Sequence, residues 1–227
     1  MRGWRIGPRI PPAATLFGIF LVLSACAANG VPRDAPPAAR VVMFLGDSFT
    51  VGSGPVPPWE TYASETARLM GGQPIIAGAS GTGYLSEGRV GRTFQRSFEV
   101  ELAWRPAPDL LVIAGGHNDR RWSAVKVRKA ADRLLAEVRG HWPGTDVVVV
   151  GPLWMGEPPK KAYEVRDVLA KAARDGGVAF VDPMARRWPL EVALPDGVHP
   201  THTGHERIAA WLAGELGRRP SAGHQGP

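Results

Sequence analysis

The sequence predicts an α/β protein built on a parallel β-sheet whose two faces are covered by helices. Two observations lead to this prediction. Five short apolar runs alternate along the chain with segments of helical spacing, and four of these runs end directly at a glycine. Strands that alternate with helices are typical of parallel sheets with helical crossovers. With 227 residues, the chain has the length of one domain with a substantial core.

Each predicted strand is mostly a run of β-branched or bulky apolar residues, which is typical of strands buried on both faces. In chain order, the runs cover residues 41–45, 74–77, 109–114, 146–150 and 178–181. Helical spacing is found at 59–70, 90–102, 122–139, 160–175 and 202–216. We predict a loop at 182–200, one domain over residues 40–217 and a disordered tail at 218–227.

The first 25 residues have the layout of a secretory signal peptide. Arg2, Arg5 and Arg9 precede a short apolar segment at 16–23, which small residues follow. This apolar segment is too short to span a bilayer permanently. Residues 26–39 contain several prolines and predict a flexible tether between the signal segment and the domain.

The end of the signal segment, Leu23-Ser24-Ala25-Cys26, resembles the lipobox of bacterial lipoproteins. The resemblance implies that the peptide is cut before Cys26 and that acyl chains on this cysteine hold the protein at a membrane. Cys26 is the only cysteine of the chain, so no internal disulfide explains it. An ordinary signal peptide with a chance cysteine is the alternative. We therefore expect an exported lipoprotein that faces the cell envelope, or else a secreted protein.

The formal net charge of +6 is partly a property of the signal segment. Without its three arginines, 24 basic side chains stand against 21 acidic ones, which indicates a mildly basic, solvated surface. No interleaved pattern of aromatic and basic residues indicates nucleic-acid binding. We expect no nucleic-acid partner, and we expect a monomer.

The main candidate for chemistry follows the first predicted strand, where Gly46 is succeeded by Asp47 and Ser48. Such residues often serve only as turn formers or helix caps. However, candidate functional residues also follow other predicted strands or precede the last helix, namely Gly78, His117-Asn118-Asp119 and Asp196-Gly197-Val198-His199. Because the carboxyl ends of parallel strands meet at one edge of a sheet, we expect these residues to converge there.

These residue types fit nucleophilic catalysis. A serine hydroxyl needs an imidazole to take its proton, and the imidazole needs a carboxylate on its other nitrogen to fix its orientation. Ser48, His199 and Asp196 supply these groups, and one turn of loop can bring Asp196 back onto His199, three residues later. As donors of the oxyanion hole we expect the backbone N–H groups of Ser48 and Gly78 and the side-chain amide of Asn118.

Together these motifs resemble the SGNH, or GDSL-type, hydrolase superfamily of serine esterases and lipases over residues 39–217. The matching segments are GDSFT at 46–50, Gly-Ala-Ser-Gly at 78–81, Gly-His-Asn-Asp at 116–119 and Asp-Gly-Val-His at 196–199. One departure is Ile76, because the family often has an asparagine two residues before its motif glycine. Ser48 lies in no Gly-x-Ser-x-Gly elbow, which separates the chain from ordinary α/β-hydrolases.

The resemblance implies a three-layer α/β/α sandwich with a flavodoxin-like sheet of about five strands. It also implies an ester hydrolase that forms an acyl-enzyme on its serine and needs no metal or organic cofactor. We expect small ester or acylated-polysaccharide substrates with acetyl or similar short acyl groups, because the chain has no large insertion to cover the site. The alternatives are an envelope O-acyltransferase with a sugar acceptor and a membrane-anchored binding module without catalysis.

Two alternative uses of these motifs are not favoured. The first is a metal site formed by four histidines, namely His117, His199, His202 and His205. It is not favoured because no cysteine is available as a further ligand. The glycines at 78, 81 and 83 are not followed by the lysine and serine or threonine of a nucleotide-binding loop, nor do they complete a dinucleotide fingerprint.

The residues around Asn118 have further interpretations. Asp119 is predicted to be structural and to cap a helix at Arg120. Trp122 and Trp154 follow strands three and four, and each either lines a substrate cleft or packs in the core. Arg120 and Arg121 are expected to be a solvated pair, with an anionic substrate as the less favoured interpretation.

Overall fold

The five predicted strands form one parallel sheet in a computed structural model that describes residues 39–219. The strands are β1 (Arg40–Gly46), β2 (Gly72–Gly78), β3 (Leu110–Ala114), β4 (Asp146–Val150) and β5 (Ala179–Val181). Their order in the sheet is β2-β1-β3-β4-β5, and every neighbouring pair is parallel. The strand order reverses between β1 and β3, and α/β sheets bind ligands at such a switch point.

The register of the sheet brings the ends of three strands level. Gly46 of β1 pairs with Gly78 of β2 on one side and with Ala114 of β3 on the other. The segments that follow these strands therefore leave the same edge of the sheet, which is the edge where the sequence predicts the functional residues.

In the described part of the chain, six α-helices accompany the sheet: α1 (Ser48–Val51), α2 (Tyr62–Leu69), α3 (Phe94–Ser97), α4 (Ala124–His141), α5 (Lys160–Asp175) and α6 (His202–Gly217). Four of them begin after a hydroxyl side chain that accepts a backbone N–H of the first turn, namely Thr61, Thr93, Ser123 and Thr201. These caps explain why the helices predicted from residues 90 and 122 begin later, at Phe94 and Ala124. A π-helical turn, Phe98–Leu102, continues α3.

Both faces of the sheet are covered, because alternate side chains of each strand point to opposite sides. On one face, Ile113 belongs to a buried cluster with Leu134 of α4 and Leu169 of α5. On the other face, Val112 belongs to a buried cluster with Ile208 of α6. The three-layer α/β/α arrangement confirms the predicted fold class.

The predictions for the amino terminus fall on residues that lie outside the described range. These are the signal segment, Cys26 and nearly all of the tether; residues 220–227 of the predicted tail also lie outside it. The described elements run from Arg40, the first residue of β1, to Gly217, the last residue of α6. Between residues 39 and 219, no helix is both long and apolar enough to cross a bilayer.

Candidate active site

Ser48 is the first residue of α1 and follows the bend that ends β1. Asp47 is extended at this bend, and its carboxylate caps α1 by accepting the Phe49 N–H at 3.0 Å. The bend requires glycine at 46, because a Cβ there would lie 2.1 Å from the hydroxyl oxygen of Thr50. The local sequence thus turns sharply out of the sheet and leaves Ser48 at its carboxyl edge, with 7% of its surface exposed.

His199 comes from the loop before α6 and contacts Ser48, which lies 151 residues earlier in the chain. Its Nε2 lies 2.9 Å from the Ser48 Oγ, and its Nδ1 lies 2.6 Å from the Asp196 Oδ2. A carboxylate beside Nδ1 holds the proton on that nitrogen, so Nε2 accepts the hydrogen bond from the serine hydroxyl. The three residues that the sequence predicted as catalytic therefore form one hydrogen-bonded path.

Asp196 also shapes the loop that carries His199. Its Oδ1 accepts the backbone N–H groups of Val198 and His199, at 2.9 and 3.0 Å. Burial opposes the ionisation of Asp196, but the hydrogen bonds from the His199 ring and from these two backbone groups outweigh it and lower its pKa to about 2. Asp196 is therefore a carboxylate at neutral pH, as an orienting partner for an imidazolium must be.

Asn118 lies in a 3₁₀ turn, His117–Arg121, that follows β3. One N–H of its side-chain amide donates to the carbonyl oxygen of Thr82 at 2.9 Å. An amide nitrogen carries two N–H groups, so the second is left for a substrate oxygen. The backbone N–H of Ser48, the second predicted donor, makes no hydrogen bond to any described residue.

The structure contradicts the prediction that Gly78 is an oxyanion donor. The Gly78 N–H donates to the Glu101 Oε2 at 3.3 Å, so a carboxylate already occupies the position that a negatively charged oxygen would need. Glycine is required here for a different reason. With φ +110°, a Cβ at 78 would lie 1.9 Å from the carbonyl oxygen of Gly46 on the neighbouring strand.

Gly81 is a candidate donor that the sequence analysis missed. It lines a cavity beside Asn118, and its N–H makes no hydrogen bond within residues 39–219. The only signal in the sequence was its position in the same glycine-rich segment as Gly78. Gly78 can be excluded as a donor only from its contact with Glu101, and Glu101 lies 23 residues further along the chain.

Asp119 holds two loops of the site together, so the prediction of a local helix cap is wrong. Asp119 is fully buried, and its carboxylate accepts the backbone N–H groups of residues 84–86 at 2.9, 2.9 and 3.0 Å. The hydroxyl of Ser86 in turn donates to the carbonyl oxygen of Asn118 at 2.8 Å. The next helix, α4, is capped instead by Ser123. The buried carboxylate therefore fixes the loop after β2 against the turn that carries Asn118.

Aromatic rings form one wall of the site. Phe49 lies between two histidines, with its ring centroid 5.4 Å from that of His117 and 5.5 Å from that of His199. The His117 ring stacks on Trp154 at 4.3 Å, whereas Trp122 is exposed. Burial lowers the pKa of His117 to about 4, so this ring is neutral at physiological pH. Of the two tryptophans in question, Trp154 is the one that packs against the site.

The other histidines have separate roles. The His202 Nδ1 lies 3.0 Å from a carboxylate oxygen of Glu60, and the buried His205 Nδ1 accepts the Tyr62 N–H at 3.0 Å. Burial lowers the pKa of His205 to about 4. Among residues 39–219, no three His, Cys, Asp or Glu side chains come together as a set of metal ligands.

Fold and site together define a class of protein: α/β sandwich enzymes with a serine–histidine–aspartate site at the carboxyl edge of a parallel sheet. This chain belongs to the GDSL-like lipase/acylhydrolase family, whose profile matches residues 44–207. It is 30% identical over 228 residues to a GDSL lipase of Mycobacterium tuberculosis, and the match covers 89% of this chain and 95% of that protein. The predicted superfamily is confirmed, and the chain is a carboxylic ester hydrolase.

Solved structures with the same fold include carbohydrate esterases. A carbohydrate acetylesterase from Sinorhizobium meliloti superposes with a TM-score of 0.66 at 20% identity, over 78% of this chain and 98% of that one. An active-site mutant of a family two carbohydrate esterase from Clostridium thermocellum gives a TM-score of 0.66 at 19% identity. That match covers 79% of this chain but only 64% of the other. At these identities the likeness is one of fold.

Proposed function

We propose that this protein hydrolyses short-chain carboxylic esters through a covalent acyl-enzyme on Ser48. The observation that carries the proposal is the hydrogen-bonded path from the Ser48 Oγ through the His199 ring to Asp196, with distances of 2.9 and 2.6 Å. In this arrangement His199 is within reach to act as general base, while Asp196 orients its ring and stabilises its charged form.

The reaction proceeds in two halves. The Ser48 Oγ attacks the ester carbonyl carbon as its proton passes to the His199 Nε2. His199 then gives this proton to the leaving alcohol, and the acyl group remains on Ser48. A water molecule next loses a proton to His199 and attacks the acyl carbon, after which the carboxylic acid leaves and Ser48 recovers its proton.

Each half passes through a tetrahedral intermediate with a negatively charged oxygen. We assign its stabilisation to the backbone N–H groups of Ser48 and Gly81 and to the free side-chain N–H of Asn118. Donors that are already in position cost no reorganisation when the charge develops, and removing one typically lowers kcat by about a hundredfold or more.

The surroundings of Asn118 favour a short acyl group. A cavity of about 610 Å³ beside this residue is lined by serine, glycine, asparagine and arginine residues, without a large apolar residue. A long acyl chain is bound best by apolar walls. The carbohydrate esterases among the structural neighbours lend support to acetylated polysaccharide as a substrate class.

The decisive test is Ser48→Ala. The variant should lose turnover of aryl esters from acetate to octanoate and should no longer react with a serine-directed fluorophosphonate. Ser53→Ala, which removes the next serine along the chain, is the matched control and should keep both activities. Undiminished turnover by Ser48→Ala would refute the acyl-enzyme. The wild-type series should peak at the shortest chains, and adding a sugar acceptor shows whether water or a hydroxyl receives the acyl group.

We further propose that the enzyme is exported and anchored through Cys26, as its lipobox-like segment predicts. Cys26→Ser should release the full-length protein from the membrane fraction. An unchanged distribution between membrane and soluble fractions would contradict the anchor and leave the ester hydrolase proposal untouched.

A further inference from the structure

The cavity beside Asn118 has an unusual lining. Its lining residues are Ser80, Gly81, Gly88, Arg89, Asn118, Arg120 and Arg121. Three of these are arginines, and none is acidic. Because Asn118 and Gly81 are also assigned to the oxyanion hole, the cavity borders the proposed oxyanion hole.

The three guanidinium groups have no carboxylate partner among residues 39–219. Other arginines of the same domain do, such as Arg128, which lies 2.7 Å from both Asp132 and Asp175. The cavity therefore holds positive charge that the protein itself does not neutralise. All three side chains are exposed, so water and salt screen their repulsion, but an anion bound among them is attracted by each.

Two of the guanidinium groups are held in place by neutral partners. The Arg120 Nη1 donates to the carbonyl oxygen of His117 at 2.7 Å, and its Cζ lies 5.5 Å from the centroid of the Trp154 ring. The Arg121 Nη2 donates to the hydroxyl of Ser86 at 3.3 Å. These contacts order the side chains while leaving their charge and most of their N–H donors free. Arginine presents five N–H donors in a planar fork that suits carboxylate and phosphate oxygens.

We propose that this cavity binds an anionic group, a carboxylate or a phosphate, that the ester substrate carries beside its scissile bond. This inference rests on the proposed ester hydrolysis and narrows its substrate to esters of acidic molecules. Arg120 and Arg121 are exposed, as expected for a solvated pair, but together with the exposed Arg89 they also line one cavity beside Asn118.

The test compares esters with and without an anionic group. On the alcohol side, phenyl acetate is compared with 3-acetoxybenzoate and with 3-acetoxyphenyl phosphate. On the acyl side, the methyl ester of 4-nitrophenyl succinate is compared with the free acid. The readout is the ratio of kcat/KM for the anionic and the neutral ester. Intrinsic reactivity cancels when this ratio is compared between the wild type and a variant, and the two anions distinguish carboxylate from phosphate recognition.

We expect Arg89→Gln and Arg121→Gln each to lower this ratio by about tenfold or more for at least one anionic ester, because each removes a charge-assisted contact. Arg133→Gln, which removes the same charge from an exposed position on α4, should leave the ratio unchanged. Two variants are used so that a folding defect in one does not decide the result. Equal ratios in the wild type and both variants, for every pair of esters, would overturn the proposal.

A binding measurement separates this inference from the proposed function. Ser48→Ala is titrated calorimetrically with 3-acetoxybenzoate and with 3-acetoxyphenyl phosphate, with and without Arg89→Gln. Binding that Arg89→Gln weakens supports the cavity even if no ester is turned over by the wild type. Turnover of neutral esters without any binding preference for the anions supports the esterase and refutes the cavity.

Discussion

The two halves of the site are built from different kinds of contact. The proton-transfer half consists of Ser48, His199 and Asp196; its carboxylate is 46% exposed and lies three residues from its histidine. The oxyanion half consists of the loops 79–88 and 117–121. It depends on Asp119, which is fully buried and accepts N–H groups from residues that are 33 to 35 positions away.

The two carboxylic acids differ in the direction of their pKa shifts as well as in burial. Hydrogen bonds lower the pKa of Asp196 to about 2, although burial acts against them. Burial raises the pKa of Asp119, although three backbone N–H groups act against it. The proton-transfer half needs a permanent charge and keeps its carboxylate near water. The oxyanion half needs donors that do not move, and it obtains this rigidity from a buried acceptor.

The largest effect is expected from Asp196→Asn, which tests whether the exposed carboxylate does its work through charge. The amide cannot hold the proton on the His199 Nδ1 as the carboxylate does, so we expect kcat to fall by roughly 10³- to 10⁴-fold. Steady-state kinetics with an aryl acetate measures the loss. Glu191→Gln, an exposed acid in the same loop, is the matched control. A loss of less than tenfold would mean that His199 is oriented by the loop rather than by Asp196.

The next largest effect is expected from Asn118→Ala, which removes a donor of the oxyanion half. We expect kcat to fall by about 10²- to 10³-fold while KM changes little, because the contact is made mainly in the transition state. Ser86→Ala sharpens the comparison. It breaks the hydrogen bond to the Asn118 carbonyl oxygen but leaves the Asn118 amide in place, so its effect on kcat should be much smaller. Equal losses in the two variants would mean that Asn118 acts only by holding the loops together.

The contrast between the two halves also separates what the sequence reveals from what it hides. The strands can be predicted because each is an apolar run in the sequence. Ser48 and the Asp196–His199 pair can be predicted from short motifs, because their contacts are local or lie at strand ends. Gly78 was assigned wrongly because its partner is Glu101, on a different element. The role of Asp119 was assigned wrongly for the same reason. Side-chain hydrogen bonds across some 20 to 35 residues leave no periodic pattern, and these are the contacts from which the oxyanion half is built.

Asp119→Asn tests the buried acceptor directly. Asparagine offers one carbonyl oxygen in place of two, and its amide hydrogens point at backbone N–H groups that then lack an acceptor. We expect the free energy of unfolding to fall by about 1–3 kcal/mol, and kcat of the folded enzyme to fall by roughly tenfold as the loops shift. Urea unfolding and kinetics well below the melting temperature measure the two effects separately.

Asp109→Asn is the matched control for this variant. Asp109 also accepts a backbone N–H, that of Val41 at 2.7 Å, but it lies at the opposite end of the strands. The control should therefore affect stability without affecting kcat. A loss of stability in Asp119→Asn with unchanged kcat would show that the hydrogen bonds of Asp119 are not needed to position the oxyanion donors.

The smallest effect on catalysis, and the clearest one on pH dependence, is expected from Asp47→Asn, at the junction of the two halves. Burial raises the pKa of Asp47 from 3.8 to about 7, so the folded protein holds this proton more tightly than the unfolded chain does. The contribution of Asp47 to stability is therefore complete below about pH 4 and is lost as the pH rises toward 7, at about 1.4 kcal/mol for each pH unit.

Asparagine is neutral and still offers an acceptor for the Phe49 N–H. Urea unfolding at pH 5 and at pH 8 should thus show the wild type losing more stability than the variant over this interval, since the other groups titrate in both. Parallel losses would mean that Asp47 is ionised throughout this pH interval, and that burial near the nucleophile does not keep it protonated.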